Sequence, residues 1–159
     1  MHMLQAEDIP QGFEVAIIVS RFNELITHKL LEGAVGRLKE LNITDQQITG
    51  VWVPGAVEIP LTAQRLAKKG KYDVIICLGA VIFGETKHFD YVCDQVSQGC
   101  QQVALTHNIP VIFGVLTTDN IQQALDRVGG SRGHMGRAAA EAAYELVSVF
   151  RQIDHYIDH

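Results

Sequence analysis

The sequence predicts an α/β fold: a three-layer α/β/α sandwich around a four-stranded parallel sheet. Three observations lead there. Val15–Ser20, Ile48–Val53, Asp73–Leu78 and Pro110–Val115 are rich in β-branched residues and mostly continuously apolar, the pattern of strands buried on both faces. Segments with apolar residues every three to four positions lie between them, and strands alternating with helices build parallel sheets through right-handed crossovers. At 159 residues and 47% hydrophobic composition, the chain has the size and apolar content of one domain with a full core.

Taken in order, Met1–Gly12 carries Glu7 and Asp8 and no apolar stretch, so it reads as an arm or an edge strand and not as a signal peptide. Val15–Ser20 is the first strand. Ile26, Leu30, Ala34, Leu38 and Leu41 then mark one face of a helix. After Ile48–Val53, a second helix carries Leu61, Leu66 and Ala67. After Asp73–Leu78, a third carries Val92, Val96, Cys100 and Val103. Beyond Pro110–Val115, Asp119-x-x-Gln122 has the form of a capping box opening a short helix to Arg127. Val128–Gly136 is glycine-rich, and a last helix is expected from about Arg137 to Ile153. No repeat or linker interrupts the chain, so 1–159 is expected to form a single domain.

Composition excludes several classes. The formal charge is −5 with no long basic cluster, which speaks against nucleic acid. No apolar run reaches the roughly 18 residues of a membrane span. Cys77, Cys93 and Cys100 form no C-x-x-C pair, so neither a disulfide scaffold nor structural zinc is expected, and a reduced, cytoplasmic compartment fits. The histidines at 2, 28, 88, 107, 134, 155 and 159 match no metal-ligand spacing.

Open parallel sheets bind ligands beyond the carboxyl ends of their strands, and the unusual residues fall there. Ser20-Arg21-Phe22-Asn23 follows the first strand, and Phe22 offers either an aromatic face for a flat heterocycle or a plug for the core. Val53-Pro54-Gly55-Ala56-Val57-Glu58 follows the second. Its turn frees the backbone of Ala56 and Val57 to bond a planar ligand, and Glu58 either accepts from that ligand or only favours a helix N-terminus. Cys77–His88 follows the third. Gly84-Glu85-Thr86 before a helix suits an anion, and His88 is either structural or the best acid–base group present. Phe113 is placed at the end of the fourth strand, with Thr117 and Thr118 just beyond. Arg127 is either a helix C-terminal cation or a phosphate clamp. No G-x-G-x-x-G follows the first strand, which argues against a general dinucleotide binder.

Four ordered motifs carry a resemblance. Arg21-Phe22-Asn23 with Ile26-Thr27, Val53–Pro60, Gly84–Val92 and Pro110–Thr117 together resemble the lumazine synthase family of riboflavin biosynthesis, over about Val15 to Val147. The resemblance implies a flavodoxin-like sheet and a transferase. Its reaction condenses 5-amino-6-(D-ribitylamino)uracil with 3,4-dihydroxy-2-butanone 4-phosphate, giving 6,7-dimethyl-8-ribityllumazine, phosphate and water without metal or organic cofactor. It implies that Phe22 stacks on the pyrimidine, and that Ala56, Val57, Glu58, Ala80, Val81 and Ile82 hold the ring and ribityl chain. Glu85, Thr86 and Arg127 correspond to positions around the butanone phosphate, and His88 to the proton-transfer residue. Phe113 and Arg127 correspond to positions supplied by a neighbouring subunit. That implies a homo-oligomer, a pentamer that in some members stacks into an icosahedral shell, with riboflavin synthase as an associated protein. Three positions depart from the family pattern: Val57 replaces an aromatic residue, Phe83 a basic one, and Met135 a lysine near the phosphate, for which Arg132 or His134 are the candidate substitutes. Two readings compete with the enzyme: a module that sequesters a flavin or lumazine, and a shell protein whose assembly is its function.

Overall fold

The computed structural model describes residues 1–9, 12–85 and 87–156. The elements run β1 (Val15–Ser20), α1 (Glu24–Glu40), β2 (Ile48–Val53), α2 (Ile59–Lys68), β3 (Val74–Ile82), α3 (Phe89–His107), β4 (Val111–Thr118), α4 (Ile121–Asp126), β5 (Val128–Gly130), β6 (Gly133–His134) and α5 (Met135–Tyr156). The expected α/β class and parallel four-stranded sheet are present, with strand order β2-β1-β3-β4. The chain leaves β1 towards β2, then returns past β1 to β3. The direction of winding therefore reverses between β1 and β3, the crevice where open sheets place ligands.

Both faces of the sheet are apolar because both are covered. Val15, Ile17, Val19, Ile76 and Leu78 pack with Leu30, Leu38, Ala139 and Ala143 of α1 and α5. The alternate residues Ala16, Ile18, Ile75 and Cys77 pack with Ile59 and Ala63 of α2 and with Val96 and Cys100 of α3. Two-residue alternation along each strand thus feeds two cores at once, which explains runs without a polar face.

β3 and β4 are longer than the sequence suggested. β3 continues through Gly79-Ala80-Val81-Ile82, and each of these residues pairs with β4, ending at Ile82 opposite Thr118. Glycine normally weakens a strand interior. Here a Cβ at Gly79 would come 2.9 Å from Ser20 Oγ and 3.3 Å from Ile59 Cδ1, so close packing against β1 and α2 selects glycine within the strand. The N-cap of α4 is Asn120, not Asp119. Asn120 Oδ1 accepts from Gln123 N at 2.8 Å, and Gln123 Oε1 accepts from Asp119 N at 2.8 Å, so the cap lies one residue further on and the return bond goes to the residue before it. The glycine-rich segment 128–134 forms the hairpin β5–β6, and α5 starts two residues earlier than expected.

Residues 1–9 take no part in the sheet and run along α5. Ser148 Oγ accepts from Glu7 N at 2.9 Å and donates to Glu7 O at 2.8 Å, and Ile9 N donates to the Tyr144 hydroxyl at 2.8 Å.

Candidate active site

Three strand ends are stitched together at the switch point. Arg21 N donates to Val53 O at 2.8 Å and Phe22 N to Pro54 O at 3.0 Å, tying the loop after β1 to the turn after β2. Asn23 adopts a left-handed conformation with φ 65°, which asparagine tolerates better than most residues. Its Nδ2 donates to Ala80 O at 3.0 Å, tying the same loop to the end of β3.

These bonds enclose a predominantly apolar cavity of 180 Å³ lined by Phe22, Gly55, Ala56, Val57, Ala80, Val81, Ile82 and Val92. Phe22 is 51% exposed, which separates the two readings of it: the ring stands on the cavity wall and does not plug the core. Ala80, Val81 and Ile82 are the last, buried residues of β3 and form no loop. Rigid strand backbone therefore makes one wall. Glu58 closes a 3₁₀ turn, Ala56–Glu58, that leads into α2. Its carboxylate lies over Gly55, where a Cβ would stand 3.4 Å from Glu58 Oε1.

The chain then turns at Gly84, φ +86°, a conformation that favours glycine. An open concavity follows, lined by Phe83, Glu85, Lys87, His88, Phe89, Asp90 and Tyr91. His88 is the N-cap residue of α3 without capping it by its side chain. The imidazole is exposed, with its ring centroid 6.0 Å from that of Tyr91. Phe83 and Phe89 meet edge to face at 5.4 Å. Thr86 lies outside the described residues.

Two expected site residues lie elsewhere in this chain. Phe113 is the third residue of β4, opposite Cys77, five residues before the strand ends at Thr118. The placement at the carboxyl end is thus corrected: β4 extends through Thr117 and Thr118, which leaves Phe113 in the amino-terminal half of the strand. Arg127 is the C-cap residue of α4 and lines a separate cavity of 330 Å³ with Arg132, His134, Met135 and Ala138.

His134 is committed to structure. Its Nδ1 accepts from Gly136 N at 3.1 Å and Arg137 N at 3.4 Å, capping α5. Its ring occupies the notch left by Gly33 of α1, where a Cβ would overlap it. Burial and the Arg137 guanidinium lower its pKa below the ordinary 6.5, and the accepting nitrogen requires the neutral form.

The 6,7-dimethyl-8-ribityllumazine synthase family profile matches residues 12–151. The chain belongs to this family. It is 56% identical over 143 residues to the 6,7-dimethyl-8-ribityllumazine synthase of Coxiella burnetii strain Dugway 5J108-111, covering 90% of this chain and 95% of the relative. It is 55% identical over the same shares to those of strains CbuG_Q212 and RSA 493.

Within the chain, three contributors went unassigned in the sequence. Val92 has the spacing of a core helix residue, yet it borders the Phe22 cavity. Asn23 stood in a motif without a task until its bond to Ala80 was visible. Lys87 sits in the His88 concavity, placing a cation near the departure at Phe83. Cys77 and Cys100 are buried with Sγ atoms 4.0 Å apart, and the hydrogen bond shared between the two thiols, then burial, push the Cys77 thiol up. Among the described residues no group of three or more His, Cys, Asp or Glu could hold a metal, and no helix is long and apolar enough to cross a membrane.

Proposed function

We propose that the chain catalyses the condensation of 5-amino-6-(D-ribitylamino)uracil with 3,4-dihydroxy-2-butanone 4-phosphate to 6,7-dimethyl-8-ribityllumazine, phosphate and water. The observation that carries this is the Phe22 cavity itself. It has an aromatic ring on one wall, strand backbone on the other, and His88 six residues beyond Ile82.

In this reading Phe22 stacks on the pyrimidine and Val81 and Ile82 flank it. Ala56, Val57, Glu58 and Ala80 position the ring and ribityl chain through backbone groups and the Glu58 carboxylate. The butanone phosphate occupies the neighbouring concavity beside Glu85 and Thr86, with Arg127 neutralising its charge. The amine attacks the ketone carbonyl and water leaves to give the imine; phosphate is eliminated, the enol so formed becomes a ketone, and the second amine closes the ring on that carbonyl with loss of a second water. Each step moves a proton between nitrogen, carbon or oxygen, and His88 supplies an imidazole, a side chain that can both take and give a proton. Holding two substrates in adjacent concavities supplies the rest by orientation. No cofactor is required.

Phe113 and Arg127 line neither the Phe22 cavity nor the His88 concavity of their own chain, and both are exposed. This supports their service to a neighbouring subunit, in a pentamer with shared sites that acts in the cytoplasm and hands its product to riboflavin synthase. The test is direct: purified protein is mixed with both substrates and the lumazine chromophore is followed by absorbance and fluorescence. Product is expected at micromolar enzyme, and none would sink the proposal.

A further inference from the structure

We infer that Arg132 is the second cation of the phosphate clamp, acting with Arg127 from the tip of the β5–β6 hairpin. This rests on the condensation reading and assigns the role left open by Met135.

The hairpin is built to present that side chain. Gly129 and Gly133 have φ of +106° and +82°, which lets the seven residues 128–134 reverse tightly. Gly130 presses on the end of α4, where a Cβ would meet Asp126 Cα at 2.6 Å and Leu125 O at 2.9 Å. The backbone then closes on itself. Arg132 N donates to Asp126 O at 2.7 Å and Met135 N to Arg127 O at 2.7 Å. The next two amides of α5 donate to His134 Nδ1. The amides that a helix start would offer an anion are therefore already engaged, and an anion here must be held by side chains.

The side chains available are Arg127 and Arg132. They line one 330 Å³ cavity, and among the described residues neither guanidinium pairs with a carboxylate. Two unpaired guanidiniums in one concavity create a positive potential suited to a dianion, which each can bond in a bidentate manner. His134 is not an alternative. It lines the same cavity, but its ring is wedged against Gly33 and its Nδ1 already accepts two amides. Met135, also on the wall, has no charge to offer.

The experiment compares wild type, Arg132→Ala, Arg132→Lys and the double variant Arg132→Ala/Met135→Lys. The readouts are KM for each substrate, kcat, and the affinity for inorganic phosphate by calorimetry. Arg132→Ala should raise KM for the butanone phosphate and weaken phosphate binding by about ten-fold, the low end for a charged hydrogen bond at an exposed site. The KM for the pyrimidine should stay within about two-fold. Arg132→Lys and the Met135→Lys double variant, which return a cation to the same cavity, should recover most of the loss. An active wild type with an unchanged butanone phosphate KM in Arg132→Ala overturns the inference and leaves the reaction standing. An inactive wild type refutes the reaction; phosphate affinity unaltered by Arg132→Ala would then overturn the clamp as well.

Discussion

Gly136→Ala probes the contact that sets the hairpin and Arg132 against the rest of the fold. Gly136 is the second residue of α5, buried where that helix crosses α1. A Cβ there would overlap the Leu30 carbonyl oxygen and stand 3.0 Å from the Leu30 carbonyl carbon. Carbon atoms pack best at about 3.5–4.0 Å, so the helices must separate by at least roughly half an ångström, and the obstacle is helical backbone that cannot rotate away. Overpacking of this kind costs about 1–3 kcal/mol, and a backbone obstacle puts this site at the upper end, roughly 3 kcal/mol. For a chain of this length that corresponds to a fall in Tm of about 6–12 °C. Gly36→Ala is the internal control: it lies in α1, a Cβ there meets nothing within 4 Å, and alanine should add about 0.5–1 kcal/mol through helix propensity. The assay is thermal unfolding by circular dichroism at one fixed protein concentration, because assembly would make Tm concentration-dependent. A Gly136→Ala melt within about 2 °C of wild type would refute the close α1–α5 crossing, since even 1 kcal/mol moves Tm that far.

Three further outcomes are expected. His88→Ala should lower kcat about ten-fold or more, measured by lumazine formation; an unchanged rate would return His88 to a structural role. Phe22→Ala should raise KM for the pyrimidine about ten-fold, as loss of an aromatic stacking contact of about 1 kcal/mol or more implies, while KM for the butanone phosphate stays near wild type. Because the folded pKa of His134 lies below its ordinary 6.5, its contribution is complete above 6.5 and is lost as pH falls through the lowered value. Wild type should therefore lose more Tm between pH 7.5 and pH 5 than His134→Asn, which can cap α5 without titrating. Equal losses would show that this cap is not the titrating group.

The sequence made the sheet legible where hydrophobicity and strand length agree. β1 and β2 have the expected bounds; in β2 the β-branched and aromatic residues on both sides of Gly50 outweigh that one glycine. β3 was cut short at Gly79, since a glycine in an apolar run reads as a loop unless one knows that Ser20 and Ile59 press against it. That misreading had a consequence for the site. Ala80–Ile82 seemed to be loop residues, whereas they are the rigid end of a strand paired along its length with β4. Phe113 is displaced for a different reason: the strand continues into Thr117 and Thr118, whose polarity reads as a loop. The β5–β6 hairpin was invisible because its two strands are only three and two residues long, too short for periodicity. The loop motifs at Phe22 and Pro54–Glu58 were legible because turn chemistry is local. The bonds that make them one cavity, Phe22 N to Pro54 O and Asn23 to Ala80 O, span up to 57 residues and were not.

In the condensation reading, the two groups of binding residues differ in the rigidity they need. A planar pyrimidine is recognised by shape and by backbone polarity, which suits the Phe22 cavity, where three strand ends are bonded together. A phosphate is recognised mainly by charge, which tolerates longer side chains and a looser scaffold. Of its candidate arginines, Arg127 caps the end of α4 and Arg132 sits on the two-stranded hairpin folded against that helix and pinned by the His134 cap. If the hairpin serves the neighbouring subunit, the distance between the two halves of the site is set by the packing of subunits and not by any loop of one chain. Disrupting assembly should then cost butanone phosphate turnover while leaving the Phe22 cavity able to bind the pyrimidine. Native mass spectrometry alongside ligand binding distinguishes the cases: a monomeric variant that retains full turnover would place both halves of the site within a single chain.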